Sequence, residues 1–130
     1  MNLLKKNTTV LTLITAYLPS FLWALIIFIF SSQSVLPGFE QSIYDFFLKK
    51  SAHIFVYLIL YLLIFKAVSQ TVAEKHKKII LILPILICFG YSVSDELHQS
   101  FVPGRFGTFR DIGFDMLGVT IAFLKKYDYI

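Results

Sequence analysis

Between Val10 and Phe30 the chain runs for 21 residues without a charged side chain. At about 1.5 Å per residue, a helix of that length crosses a hydrocarbon core of about 30 Å. Lipid offers no partner for backbone N–H and C=O groups, so a lone segment must satisfy them as a helix. Lys5 and Lys6 precede the run, as they would in a signal peptide. The run is longer than a typical h-region of about 7 to 15 residues, and SSQSVLPG follows it instead of a small-x-small cleavage site. A retained first span is expected. The remainder is similarly apolar: 57% of all residues are hydrophobic and 17% aromatic, with a mean hydropathy of +0.74, against about 45–50% apolar content in soluble domains.

Three further spans are expected. Residues 31–50 read as a polar loop around Pro37 and Gly38, then a short interfacial helix in which Ile43, Phe46 and Phe47 recur at helical spacing beside Glu40, Asp45 and Lys49. Ser51 to Val68 forms span two, with Lys66 able to snorkel toward the headgroups. After a polar turn ending Glu74-Lys75-His76-Lys77-Lys78, in which His76 reads as a solvated surface residue, Ile79 to Leu97 forms span three, carrying Pro84. Pro is tolerated in such helices when neighbours satisfy the freed carbonyl. Span four is weaker: only Ile112 to Leu124 separates Asp111 from Lys125, and Asp115 interrupts it. Begun at Thr108, it reaches about 25 Å. The expected fold is all-α, an integral membrane four-helix bundle in one domain covering residues 1–130, with spans at about 10–30, 51–68, 79–97 and 108–124.

Lysines and arginines flanking spans set their orientation. Lys5, Lys6, Lys66, Lys75, Lys77, Lys78, Lys125 and Lys126 fall on one side and Lys49, Lys50, Arg105 and Arg110 on the other, eight against four. Both termini are therefore expected in the cytoplasm, with the first and third loops outside. The net charge of +4 arises from these flanks; it suits anionic headgroups and gives no reason to expect nucleic acid. Cys88, the one cysteine, lies inside an apolar run and reads as packing.

The unusual polar chemistry is concentrated in Ser94 to Gly118, SDELHQSFVPGRFGTFRDIGFDMLG. On a helix Asp95, His98 and Gln99 share a stripe with Ser92, and Lys50, His53 and Tyr57 form a second stripe at the start of span two. Ser31, Ser32 and Gln33 reach the same outer boundary. Ionisable groups at membrane depth cost about 2.5–3.5 kcal/mol each and usually face a protein interior or wet cavity. Lys50, His53, Asp95, Glu96, His98, Arg105 and Asp111 are accordingly the candidate functional residues, expected around one cavity. Arg105 is the expected anion-holding group, within reach of Asp95, Glu96 or Asp111, and Glu96 with His98 the expected acid–base pair if chemistry occurs. The competing reading makes them interfacial charges that pair and anchor helix ends.

Thr108 and Asp111 have capping-box spacing, in which each reaches the other's backbone amide. Asp115 needs a partner across the bundle, from Arg105, Lys50 or a histidine. Gly113 and Gly118 read as sites of close helix packing. Asp95, Glu96, His98, His53 and Asp111 are all competent metal ligands, but their spacing matches no established metal motif and names no cofactor.

The FSSQS that ends span one, Lys50, His53 and Tyr57, the block SDELHQSFVPGR and the Gly107-Thr108-x-x-Asp111 that follows, with Gly118, together resemble the VanZ-like family of small bacterial membrane proteins. The resemblance covers residues from about 20 to 124. It departs at Asp115, where the family's usual residue is asparagine. It implies a multi-pass protein of the bacterial cell membrane, in a family named for a member that confers resistance to the lipoglycopeptide teicoplanin. It supplies no established reaction.

Three functions fit these residues. One is an envelope protein whose outer-leaflet pocket binds or modifies a lipid-linked cell-wall component or a lipoglycopeptide, with Arg105 and Lys50 holding its anionic group. Another is an intramembrane acid–base enzyme acting on such a lipid. The third is a non-catalytic assembly partner whose polar residues only lock helices.

Overall fold

The computed structural model describes residues 10–34 and 43–130; Lys5, Lys6, Pro37, Gly38 and Glu40 lie outside the described residues. Four helices follow in order, α1 (Val10–Ser31), α2 (Ile43–Thr71), α3 (Lys77–Gln99) and α4 (Phe109–Lys126), with a 3-10 turn at Glu74–His76 before α3. There is no strand among the described residues. Three segments, Val10–Ser31, Ile43–Thr71 and Glu74–Gln99, are long and apolar enough to cross a membrane. α4 is not one of them, because its 18 residues include Arg110, Asp111, Asp115, Lys125 and Lys126.

The expected separate interfacial helix is not formed. Ile43, Phe46 and Phe47 occupy the first turns of α2, which continues unbroken through Lys50. No Gly or Pro interrupts residues 43–71, and Lys49 closes an i,i+4 ion pair on Asp45 at 2.7 Å, so the backbone ladder has no reason to break. A helix of 29 residues is about 43 Å long and exceeds the hydrocarbon core of about 30 Å. It is therefore longer than an upright crossing requires.

α2 is the centre of the fold: it packs against α1, α3 and α4, and supplies Tyr57, Leu60, Tyr61, Ile64, Ala67 and Val68 to the buried core. Ile27 of α1, Cys88 of α3, and Val119 and Ala122 of α4 complete that core. α1 buries only Ser20, Ile27 and Ser31 while Phe21, Phe30 and most of its other large side chains are exposed. Such a surface is stable facing lipid, where helices associate through small residues, packing and interhelical hydrogen bonds. Those bonds are present: Trp23 Nε1 donates to Val56 O at 2.9 Å, and the Tyr91 hydroxyl donates to Ala24 O at 2.6 Å.

Gly118 sits where α4 crosses α2, and a Cβ there would lie 2.1 Å from Ile54 O. Gly113, also expected to serve close packing, has no atom within 4 Å of where its Cβ would be. It faces outward on α4.

Candidate functional site

The antiparallel order brings the ends of α1 and α3 and the starts of α2 and α4 to one level. Between α3 and α4, Val102 to Arg105 forms a tight turn closed by Arg105 N–H to Val102 O at 3.1 Å, with Gly104 at φ +78. This is the arrangement of a type II turn, with Pro at its second position and Gly at its third. Gly107 then passes so close to α3 that a Cβ would lie 2.0 Å from Glu96 O. Thr108 caps α4, its Oγ1 accepting from the Asp111 amide at 3.3 Å. The reciprocal half of the capping box is absent: the Thr108 amide donates to Glu96 Oε2 at 2.9 Å, while the Thr108 hydroxyl donates to Asp111 Oδ2 at 3.0 Å. Glu96 thus ties the end of α3 to the start of α4.

Four carboxylates are buried at this level, with exposures of 5% for Asp95 and Glu96, 6% for Asp111 and 0% for Asp115. Asp111 pairs with Lys50, whose ammonium also lies over the rings of Phe46 and Phe114. Asp115 meets His53 Nδ1 at 2.8 Å and accepts from the Ser92 hydroxyl at 2.6 Å, so a histidine is the partner it finds. Asp95 accepts from Gln99 Nε2 at 3.1 Å. Unpaired ions so deep would be strongly unfavourable, and each pairing offsets part of that penalty.

A cavity of about 570 Å³ opens between α1, α2 and the α3–α4 turn. Its polar lining includes Lys50, His53, Asp95, Arg105 and Asp111, and its apolar lining includes Trp23, Ile26, Ile27, Phe30 and Val56. Three buried oxygens of its lining residues, Ser31 Oγ, Tyr57 Oη and Asp95 Oδ1, make no well-formed hydrogen bond, although Ser31 stands beside Asp95 and Tyr57 beside Ser92. Buried polar atoms are nearly always bonded, and small rotations within these two pairs would satisfy them inside the protein.

Two expectations are corrected. Neither Glu96 nor His98 lines the cavity: Glu96 is turned to the Thr108 amide, while His98 Nε2 lies 3.0 Å from Ser32 Oγ and its ring centroid 4.7 Å from that of Phe28. At about 100° per residue, Asp95, Gln99, Ser92 and Glu96 fall in one arc of about 100°, whereas His98 lies about 60° outside its Asp95 edge. Glu96 and His98 therefore face different helices and are not an acid–base pair. Arg105 makes no ion pair among the described residues; its guanidinium donates to Gln99 Oε1 at 2.8 Å and Gln33 O at 3.3 Å. Gln99 stands between it and Asp95.

Asp115, Ser92, Gln99, Tyr57 and Trp23 belong to this region although they were not among the seven candidates. The signal for Ser92, Asp95 and Gln99 lay in their shared stripe. For Trp23 no local signal existed, because an aromatic residue in an apolar span has many lipid-facing precedents.

No curated protein and no solved structure gives a significant match to this sequence. The model of the VanZ/LLP1 family matches residues 6–125, which contain every residue of the site, and the three membrane-crossing segments agree with it: the chain is a membrane protein belonging to the VanZ/LLP1 family.

Proposed function

We propose that this protein binds an anionic amphiphile at the outer face of the bacterial cell membrane, as a four-span protein with both termini in the cytoplasm. The amphiphile belongs to the class of lipid-linked cell-wall components or lipoglycopeptides such as teicoplanin. The observation that carries the reading is the cavity of mixed polar and apolar lining, in which Arg105 brings a cationic group without a carboxylate partner among the described residues. A guanidinium held by neutral acceptors keeps its charge available for a phosphate or carboxylate, which it binds with fork geometry. The apolar lining of Trp23, Ile26, Ile27 and Phe30 suits the chain attached to that headgroup, and Ile26 and Phe30 are also exposed on the outer surface. An assembly partner whose polar groups only lock helices has no need of an open cavity with a guanidinium held by neutral acceptors in its wall.

Trp23 is the one tryptophan of the chain and lines the cavity, so its fluorescence reports occupancy. Purified protein in nanodiscs is titrated with a prenyl phosphate, the uncharged prenol of equal length, and teicoplanin. The phosphate should bind at least tenfold more tightly than the prenol, and Arg105→Gln should remove most of that preference, since a hydrogen bond to a charged group contributes about 1.5–3 kcal/mol. Teicoplanin binding without phosphate binding identifies the lipoglycopeptide as the source of the anion. Equal affinity for phosphate and prenol, together with no response to teicoplanin, overturns the proposal.

A further inference from the structure

At His53, which lines the cavity, three donors from three helices meet. His53 of α2, Glu96 of α3 and Asp115 of α4 each offer one ligand atom, and these atoms lie within 4.8 Å of one another. We infer that they form a binding site for a divalent first-row metal ion. One imidazole and two carboxylates make a mixed nitrogen and oxygen set suited to ions such as Zn²⁺ or Mn²⁺. With only three protein donors, the ion keeps positions for water or a ligand oxygen.

Charge is the first reason. Glu96 and Asp115 are 5% and 0% exposed, and the neighbouring ammonium of Lys50 is committed to Asp111. His53 can balance one of the two carboxylates; a divalent cation balances both. The second reason is an unspent donor. Glu96 Oε2 takes the Thr108 amide, while Oε1 is buried and has no partner.

The supporting hydrogen bonds are also in place. Ligating carboxylates are held by outer partners that fix their orientation; here the Ser92 hydroxyl holds Asp115 Oδ2 at 2.6 Å and the Thr108 amide holds Glu96. The 2.8 Å between His53 Nδ1 and Asp115 Oδ1 is close to the edge of about 3 Å expected for donors sharing an octahedral ion with bonds of about 2.1 Å. In binding, the ion takes the place of the proton shared by that pair, and the proton leaves to solvent.

The test uses the full chain purified in detergent, stripped with a chelator and titrated with Zn²⁺ by calorimetry. One equivalent should bind per chain, Glu96→Gln and Asp115→Asn should each weaken binding at least tenfold, and His76→Ala, in the exposed turn, should leave it unchanged. X-ray absorption of the Zn²⁺-loaded unsubstituted protein reads the site without any variant: one imidazole with oxygen donors and no sulfur is expected. Failure to bind one equivalent, wild-type affinity in both carboxamide variants, or two or more imidazoles on the ion overturns the inference. With an uncharged detergent no anionic amphiphile enters these measurements, so their outcome is separate from that of the Trp23 titration.

Discussion

Two glycines on one helix separate packing from propensity. Adding a methyl at Gly118 drives it to 2.1 Å from the carbonyl oxygen of Ile54, a backbone atom that cannot rotate away. Gly118→Ala should therefore lose about 2 kcal/mol or more through overpacking and forced separation of α2 and α4. Gly113→Ala meets nothing within 4 Å and should be neutral or gain about 0.5–1 kcal/mol from the better helix former. Thermal unfolding of both variants in detergent, followed by size-exclusion chromatography, checks the contrast; equal midpoints would remove the close crossing. At this scale the sequence is legible in type more than in partner. It shows that Asp115 needs a counterpart, because a lone carboxylate at depth is unfavourable. That the counterpart is His53 follows from how α4 crosses α2, set by a glycine contact that no periodicity reveals. His98 illustrates the converse: sharing a stripe with Asp95 still leaves it about 60° outside the buried arc, turned toward α1.

Helices carry their charges in pairs across interfaces, and the start of α2 against the start of α4 is the plainest case. Lys50 is half-buried, Asp111 is buried, and the two form an ion pair flanked by Phe46 and Phe114. Lys50→Met leaves Asp111 without its cation and should cost about 3 kcal/mol, the lower end for breaking a buried pair because Lys50 keeps some solvent access. Adding Asp111→Leu should restore much of the loss, since an apolar pair of similar size often replaces a buried ion pair with little penalty. A double-mutant cycle on thermal stability measures the coupling; additive losses would show that the pair contributes nothing. The element boundaries were mostly legible, since runs at 10–30, 79–97 and 108–124 correspond to helices Val10–Ser31, Lys77–Gln99 and Phe109–Lys126. The first turns of α2 were not. Mixed polarity at 43–50 suggests an element lying in the interface, yet the same residues form the first turns of one long helix.

For the whole molecule, one arrangement in the bilayer is consistent with where the charges and contacts fall. The site gathers the end of α1, the start of α2, the end of α3 and the start of α4, while the Tyr17 hydroxyl lies 3.2 Å from Thr71 Oγ1 and the Phe65 ring 6.1 Å from that of Tyr127 toward the opposite boundary. Lys66, Lys75, Lys77, Lys78, Lys125 and Lys126 belong to that opposite boundary, and with Lys5 and Lys6, which precede α1 in the sequence, the count is eight basic residues against four. Basic residues are retained in the cytoplasm, and the bias in short flanks decides orientation. The site should therefore face outward and the Glu74–His76 turn inward. Single cysteines placed at positions 38 and 76 on a Cys88→Ser background test this, because Cys88 is the one native thiol and is buried. A membrane-impermeant maleimide added to intact cells should label position 38 and reach position 76 only after permeabilisation. The reverse pattern would place the cavity on the cytoplasmic side, where a lipid-linked precursor still awaiting export, and no longer an extracellular lipoglycopeptide, would be the amphiphile able to reach Arg105.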